Sequence, residues 1–480
     1  MNVAMVSKNL GTLLIFEILA MFPAMIVSLI YKESAFWAFL YTMIILLIIG
    51  LVLFMIKPKS KSIYAREGFA IVAIGWILMS FFGALPFYFS GAIPSLVDSF
   101  FESSSGFTTT GASILTEIEG LAKGILFWRS FTHWVGGIGV LVLAMAILPS
   151  AGAQSMQMMK AESPGPNPGR LVPKVKETAK ILFSIYLLIT VIEIILLMFA
   201  GMPFYDALVH TFGTVGTGGF SSKNLSIGGY NNIMVEIIIT VFMLMCGANF
   251  GLYYHALKGN FKVLFKDEEF KLYVTIVTIS IIVITLNIYG EVYHTVKESV
   301  RYAAFQVASI ITTTGYATAD FDTWPVFSKL ILLFIMFIGG CAGSTGGGMK
   351  HIRILLLFKA AKRNFLKIVH PRAVDSVRIG GRAVDEQALS EVLGFFFIYI
   401  IIFCCAVLIV ALDGKSIVTT LSSVVATIAN IGPGLEIVGP AGNFSSFSVL
   451  SKITLSFCMI IGRLEIYPIL LLVMPKFWSK

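Results

Sequence analysis

The chain has 480 residues, of which 57% are hydrophobic and only 13% charged, and its mean hydropathy is +0.89. A soluble globule of this size needs more charge than that to cover its surface, so the composition excludes one and places the chain in a bilayer. The net charge of +9 then has to be explained by where the basic residues fall along the chain.

Apolar stretches of about 20 residues, enough for a helix to cross ~30 Å of hydrocarbon, recur near 10–31, 36–56, 68–90, 124–149, 178–200, 233–257, 271–290, 326–349, 389–412 and 452–475. They predict ten transmembrane helices, too many for the first to be a lone removable signal peptide. Lys57, Lys59, Lys61 and Arg66 separate the second and third, and Lys160, Arg170, Lys174 and Lys176 separate the fourth and fifth. Lys258, Lys262, Lys266 and Lys271 follow, and nine basic residues run from Lys350 to Arg382. Every one of these segments falls on the same predicted side, which the positive-inside rule makes cytoplasmic, with both termini there as well. Topology accounts for the basic excess, and no nucleic-acid partner is needed to explain it.

The cysteines are Cys246, Cys341, Cys404, Cys405 and Cys458, all in apolar surroundings and without a histidine at ligand spacing. They read as small packing residues, not as disulfide or metal partners.

From the third span onward the outer connections share a pattern. Each has a short stretch, too brief to cross the membrane, that ends in Thr and Gly: Ser105-Gly-Phe-Thr-Thr-Thr-Gly-Ala-Ser113, Gly213-Thr-Val-Gly-Thr-Gly-Gly219, Ile311-Thr-Thr-Thr-Gly-Tyr316 and Ala429-Asn-Ile-Gly-Pro-Gly434. Gly111, Gly218, Gly315 and Gly432 lie 107, 97 and 117 residues apart, which marks four copies of one unit. The unit is helix, re-entrant helix with a Thr/Gly strand, then helix. Residues 1–57 lack the hairpin and form a leading helix pair; the repeats occupy 58–149, 150–257, 258–358 and 359–480.

Irregular backbone at membrane depth must be buried in protein or line an aqueous path, because lipid offers it no hydrogen-bond partner. Four such runs are expected to converge on one axis. Glycine permits the dihedrals that turn carbonyls inward, and a ring of neutral oxygens replaces the water shell of a weakly hydrated cation. The candidate filter residues are Thr109, Thr110 and Gly111; Gly216, Thr217 and Gly218; Thr313, Thr314 and Gly315; and Asn430, Ile431 and Gly432. Re-entrant helices would end at the filter and direct their negative dipole ends at the ion. No acidic ring stands inside the motifs, as a divalent-cation filter would require.

The spans after the hairpins carry Trp134-Val-Gly-Gly-Ile-Gly139, Cys246-Gly-Ala-Asn-Phe-Gly251, Gly339-Gly-Cys-Ala-Gly-Ser-Thr-Gly-Gly-Gly348 and Gly462-Arg-Leu-Glu-Ile-Tyr467. The first two read as close-packing faces. Residues 339–348 hold six glycines, which no stable helix interior would choose. A broken segment there, with Gly339, Gly340, Gly343, Ser344, Thr345, Gly346, Gly347 and Gly348, can lie across the path as a gate; the alternative is a passive bend with no gating role. Arg463 stands mid-span, where an unpaired charge costs several kcal/mol, and is expected to project into the pore as a positive barrier; the alternative is a structural ion pair with a carboxylate elsewhere. Glu17 and Glu193 also fall within spans and receive no role.

Together these motifs resemble the TrkH branch of the Trk/Ktr/HKT potassium transporter superfamily, over nearly the whole chain. Trp128-Arg-Ser130 and the first, third and fourth Thr/Gly runs carry the resemblance, the second run is close to the filter of tetrameric K+ channels with Thr217 in place of an aromatic residue, and the leading helix pair favours this branch over the KtrB branch. The resemblance implies an all-α, multi-pass K+ uptake protein of a prokaryotic inner membrane, with filter glycines at 111, 218, 315 and 432 and a gate at 339–348 and Arg463. It further implies a homodimer with one pore per subunit and a cytosolic, nucleotide-binding, TrkA-like regulatory partner, with K+ as the transported ion and no organic cofactor in this chain. No nucleophile–base pair, metal cluster or phosphate loop supports an enzyme. The competing function is a Na+- or H+-coupled K+ carrier, which would more often show inverted halves.

Overall fold

The computed structural model describes residues 1–58, 64–139, 175–372 and 376–479. The basic residues Lys59, Lys61, Lys160, Arg170 and Lys174 lie outside the described residues, as do positions 140–149 of the fourth expected span.

Among the described residues six helices are long and apolar enough to cross a bilayer: Val3–Ile30, Ala35–Phe54, Ala65–Phe89, Glu177–Phe199, Glu268–Ile288 and Glu386–Asp413. The last four of these each open one repeat. Four short helices follow them in turn: Leu96–Phe107, Phe204–Val215, Val296–Ile311 and Ile417–Ile428. Their starts are fixed by local chemistry. Ser95, Thr295 and Ser416 accept hydrogen bonds from Asp98, Glu298 and Thr419 backbone N–H, and Asp98, Asp206 and Glu298 sit in first turns where the helix dipole favours a negative charge.

Among the described residues the closing helices of the second, third and fourth repeats are broken, the third at the glycine-rich segment where a break was expected, the second and fourth where the sequence reading drew a continuous span. The second copy runs Ile233–Cys246, then turns by 96° into Phe250–Leu257. Asn249 caps the new helix by accepting from the Gly251 N–H at 2.8 Å, so residues 246–251 are a corner and not only a packing face. The third stops at Ile338 and resumes at His351; the fourth runs Val449–Arg463 and resumes at Tyr467. There Glu465 and Ile466 both hold positive φ, 54° and 73°, a conformation strained for a β-branched residue. Continuous hydropathy hid the second and fourth breaks, because a corner buried in protein can be as apolar as the helices it joins.

Each short helix packs against the closing helix of the preceding repeat: Phe204–Val215 on Lys123–Gly137, Val296–Ile311 on Ile233–Cys246, Ile417–Ile428 on Val326–Ile338, and Leu96–Phe107 on Val449–Arg463. The last contact joins the fourth repeat to the first and closes a circle. Arg301 bonds Glu236 at 2.5 Å across one of these seams, and Lys452 bonds Asp98 at 2.7 Å across another. The leading pair is tied in as well. Glu33, between its two helices, accepts from the N–H groups of Lys123 and Gly124 at 2.6 and 2.9 Å and so caps the first closing helix.

Cys246, Cys341 and Cys458 are buried, as a packing role requires, but Cys404 and Cys405 are exposed on the outer face of a spanning helix. Lys350 and Arg353, counted with the cytoplasmic basic residues, are buried inside the molecule.

Candidate functional site: a fourfold ring above a buried loop

The short helices end at Thr108, Gly216, Thr312 and Ala429. The chain then repeats one conformation four times. Thr109, Thr217, Thr313 and Asn430 have φ of 53°, 56°, 59° and 56°; two residues on, Gly111, Gly219, Gly315 and Gly432 have φ of 79°, 78°, 81° and 99°. The residue between them donates its N–H back into the helix: Thr110 to Ser105, Gly218 to Gly213, Thr314 to Ser309 and Ile431 to Ala426, at 2.8–2.9 Å.

This pattern corrects the register of the second copy. The counterpart of Gly111, Gly315 and Gly432 is Gly219, and Gly218 matches Thr110, Thr314 and Ile431. The run Gly216-Thr-Gly-Gly219 offers three glycines and spacing alone cannot choose among them, whereas the requirement for positive φ does.

The four segments meet. A Cβ at Gly111 would stand 2.0 Å from the Gly218 oxygen, one at Gly219 2.0 Å from the Thr314 oxygen, one at Gly315 2.1 Å from the Ile431 oxygen, and one at Gly432 2.7 Å from the Thr110 oxygen. Only glycine permits that approach, and the order of neighbours is cyclic. On one side of the ring lies a vestibule of about 140 Å³ bordered by Gly111, Gly219, Gly315 and Gly432.

Behind the ring, Lys123–Gly137 supplies three supporting side chains. Trp128 donates to the Gly83 oxygen at 3.0 Å. Arg129 bonds Glu102 at 2.6 Å, donates to the Ser221 oxygen, and lies 3.5 Å from the centre of the Phe220 ring. The His133 ring bonds the Gly106 oxygen at 2.8 Å and fills the space beside Gly218, where a Cβ would come 2.2 Å from it. Gly136 and Gly137 allow the helix to touch the Phe107 and Gly216 backbones, as the small-residue reading of 134–139 expected. In the first and third copies, the hydroxyls of Thr108 and Thr110, and of Thr312 and Thr314, bond each other at 2.7 and 2.8 Å.

On the other side lies the loop Gly339–Lys350. Gly347 donates to the Thr313 hydroxyl at 2.7 Å, and a Cβ on Gly347 would be 2.5 Å from the Ala429 oxygen. The loop is therefore pressed against the ring's third and fourth segments. A cavity of about 110 Å³ lies against the loop, bordered by Gly137, Tyr186, Phe250 and Arg463 as well as the loop itself. Arg463 donates to the Thr345 oxygen at 2.7 Å and to those of Gly136 and Gly137 at 2.5 and 2.9 Å. Its guanidinium thus spans from the loop to the first repeat. Lys350, not singled out from the sequence, also borders this cavity and donates to the Gly346 oxygen. Glu465 bonds Arg353, whose guanidinium lies 4.0 Å from the Phe395 ring centre. Glu17 and Glu193 are fully buried within their spans.

Among the described residues no group of His, Cys, Asp and Glu side chains could hold a metal ion. The chemistry on offer is backbone and hydroxyl oxygen around one axis, with two cationic side chains on the loop side.

A model of the TrkH family, described as cation transport protein, matches residues 35–480. The chain is 41% identical to the Trk system potassium uptake protein TrkH of Salmonella typhimurium and 42% identical to that of Escherichia coli K12, each alignment covering 100% of both chains. It is 34% identical to the Trk system potassium uptake protein TrkG of E. coli K12, covering 100% of this chain and 99% of that one. The crystal structure of the potassium transporter TrkH from Vibrio parahaemolyticus superposes with a TM-score of 0.89 at 36% identity, covering 100% of both chains.

Proposed function

Because the chain belongs to the TrkH family of cation transport proteins, and is a transporter and not an enzyme, we propose that it carries K+ inward along a channel-like path through the ring. The observation that carries this reading is the ring itself. Four segments with the same alternation of φ stand side by side in a cycle, each glycine against a backbone oxygen of the next segment. Alternation of left-handed and ordinary dihedrals turns successive carbonyls toward one side of a strand, and a ring of such oxygens takes the place of water around a large monovalent ion.

The filter consists of Thr109, Thr110 and Gly111; Thr217, Gly218 and Gly219; Thr313, Thr314 and Gly315; and Asn430, Ile431 and Gly432. Gly216 caps the second helix instead. Helix C-termini at all four segments favour a cation over an anion. Loop 339–350 is the gate, held shut against Thr313 and Ala429, with Arg463 and Lys350 as a positive barrier beneath the filter. The protein works in the inner membrane of a prokaryote with both termini cytoplasmic, as a homodimer regulated by a cytosolic TrkA-like, nucleotide-binding subunit. The basic helix His351–Val369, which continues from the loop, is suited to carry that regulation to the gate.

The test is flux in purified vesicles driven by a K+ gradient alone. Flux without Na+ or a pH gradient, with K+ and Rb+ outcompeting Na+ and Li+, is the expected result. Strict dependence on a second gradient would establish the coupled carrier instead. Glu17 and Glu193, as buried carboxyl groups, are the residues in which such coupling would be sought.

A further inference from the structure

Resting on the reading of 339–350 as a gate, the geometry points to Glu269 as a positioning residue: a staple that fixes both ends of the loop, so that opening is confined to a short flap from Gly343 to Gly348.

Glu269 lies in the first turn of Glu268–Ile288, outside the loop in sequence, and is 6% exposed. One of its oxygens, Oε1, accepts from the N–H of Ala342 at 2.7 Å and from the N–H of Ile352 at 3.0 Å. The two donors stand ten positions apart, on either side of the segment that touches the ring. Both bonds end on one buried carboxyl oxygen, and backbone N–H groups that lost this acceptor without gaining water would be costly to leave unsatisfied. The ends are held further by the Cys341 N–H on the Gly247 oxygen at 2.8 Å and the His351 N–H on the Gly340 oxygen at 3.1 Å.

Just inside the pinned ends are Gly343 and Gly348, with φ of 71° and 75°. Glycines in this region change dihedral with little steric penalty, as hinge positions require. Within the loop, Ser344 bonds the Cys341 oxygen, the Gly340 N–H bonds the Gly347 oxygen and Lys350 bonds the Gly346 oxygen; the flap's outward ties are Gly343 oxygen to Phe250 N–H, Thr345 to Cys246 and Arg463, and Gly347 to Thr313. Opening breaks these bonds and leaves those of Ala342 and Ile352 in place. The moving part is six residues long, small enough to clear the axis without shifting Glu268–Ile288.

The test uses thiol labelling during K+ flux in vesicles, because Cys341 is native, buried and next to the stapled Ala342. In a background whose other cysteines are replaced, a water-soluble thiol reagent is compared at Cys341 and at a cysteine introduced by Ser344→Cys. The flap cysteine is expected to label at least about tenfold faster than Cys341. Glu269→Ala should raise Cys341 labelling about tenfold and increase flux without altering K+ preference. Glu269→Gln, which keeps an acceptor oxygen, should return both toward the original values. Equal labelling of the two positions in the otherwise native chain overturns the staple, and so does a Glu269→Ala protein that leaves Cys341 protected. If Glu269→Ala does not fold, the comparison between the two positions decides alone. Absence of K+ flux in the unmodified protein would instead refute the transport reading.

Discussion

Arg129 and Glu102 form a 2.6 Å ion pair with side chains 2% and 0% exposed, at the junction of the first and second ring segments. Glu102 also accepts from the Ser113 hydroxyl and the Ile114 N–H, while Arg129 reaches Phe220 and Ser221. The pair therefore links the strands that leave two adjacent segments. Removing one partner of a buried pair costs about 3–5 kcal/mol, so Glu102→Ala should lower thermal stability by that order. Arg129→Lys keeps the charge but loses the planar fork and the ring contact; reduced preference for K+ over Na+ in competition flux is expected, with a smaller loss of stability. Unchanged preference in both variants would leave the pair a purely structural brace.

Gly218 and Gly219 differ in what opposes a side chain. Gly219→Ala places a methyl against the Thr314 carbonyl, on a backbone with φ of 78°, whereas Gly218→Ala places it against the His133 ring. Both should abolish selective K+ flux. The His133→Ala exchange should restore at least part of it to Gly218→Ala and none to Gly219→Ala, because backbone cannot yield as a side chain can. Equal rescue would contradict the register drawn from the dihedral pattern.

Arg463 holds the loop tip through Thr345 and the first repeat through Gly136 and Gly137. A charge-assisted bond contributes about 1.5–3 kcal/mol, and each 1.4 kcal/mol is about tenfold in an equilibrium. Arg463→Ala should accordingly raise K+ flux about tenfold, measured in vesicles beside a folding control. Arg463→Lys should fall between, since one ammonium cannot span three carbonyls. A folded Ala variant with unaltered flux would remove Arg463 from the gate.

Gly347→Ala crowds the loop where it meets the ring, with its new methyl 2.5 Å from the Ala429 oxygen and 2.9 Å from the Asn430 Cβ. Overpacking of this kind costs about 1–3 kcal/mol and, on the proposed reading of the loop as a gate, falls on the state in which it touches the ring. Flux should increase while the order among K+, Rb+, Na+ and Li+ stays the same. A change in that order would mean that the loop shapes the filter as well as covering it.

The fourfold plan was legible because irregular backbone at membrane depth has to be buried or line an aqueous path, and the same Thr/Gly signature recurs near a fixed period. The register of one copy was not, since Gly216, Gly218 and Gly219 compete for one role and only φ separates them. The corner at Gly247–Asn249 left a trace: Asn249 is a helix-capping residue set within an apolar run. Lys350 was hidden by its company, for in sequence it is the first of nine basic residues and in space it turns back under the ring. Glu269 could not have been found from its neighbours, because its partners are 73 and 83 positions away.

The contact of Gly432 with Thr110 joins the last repeat to the first within a single polypeptide. A pore assembled from four identical chains receives every substitution in quadruplicate, so a bulky or polar change is imposed on all quadrants together. Here each quadrant is encoded separately, and Ile431 can stand where Thr110, Gly218 and Thr314 stand in the others. Mutation can thus adjust the lining in quarter steps, and a lesion in one quadrant leaves three intact.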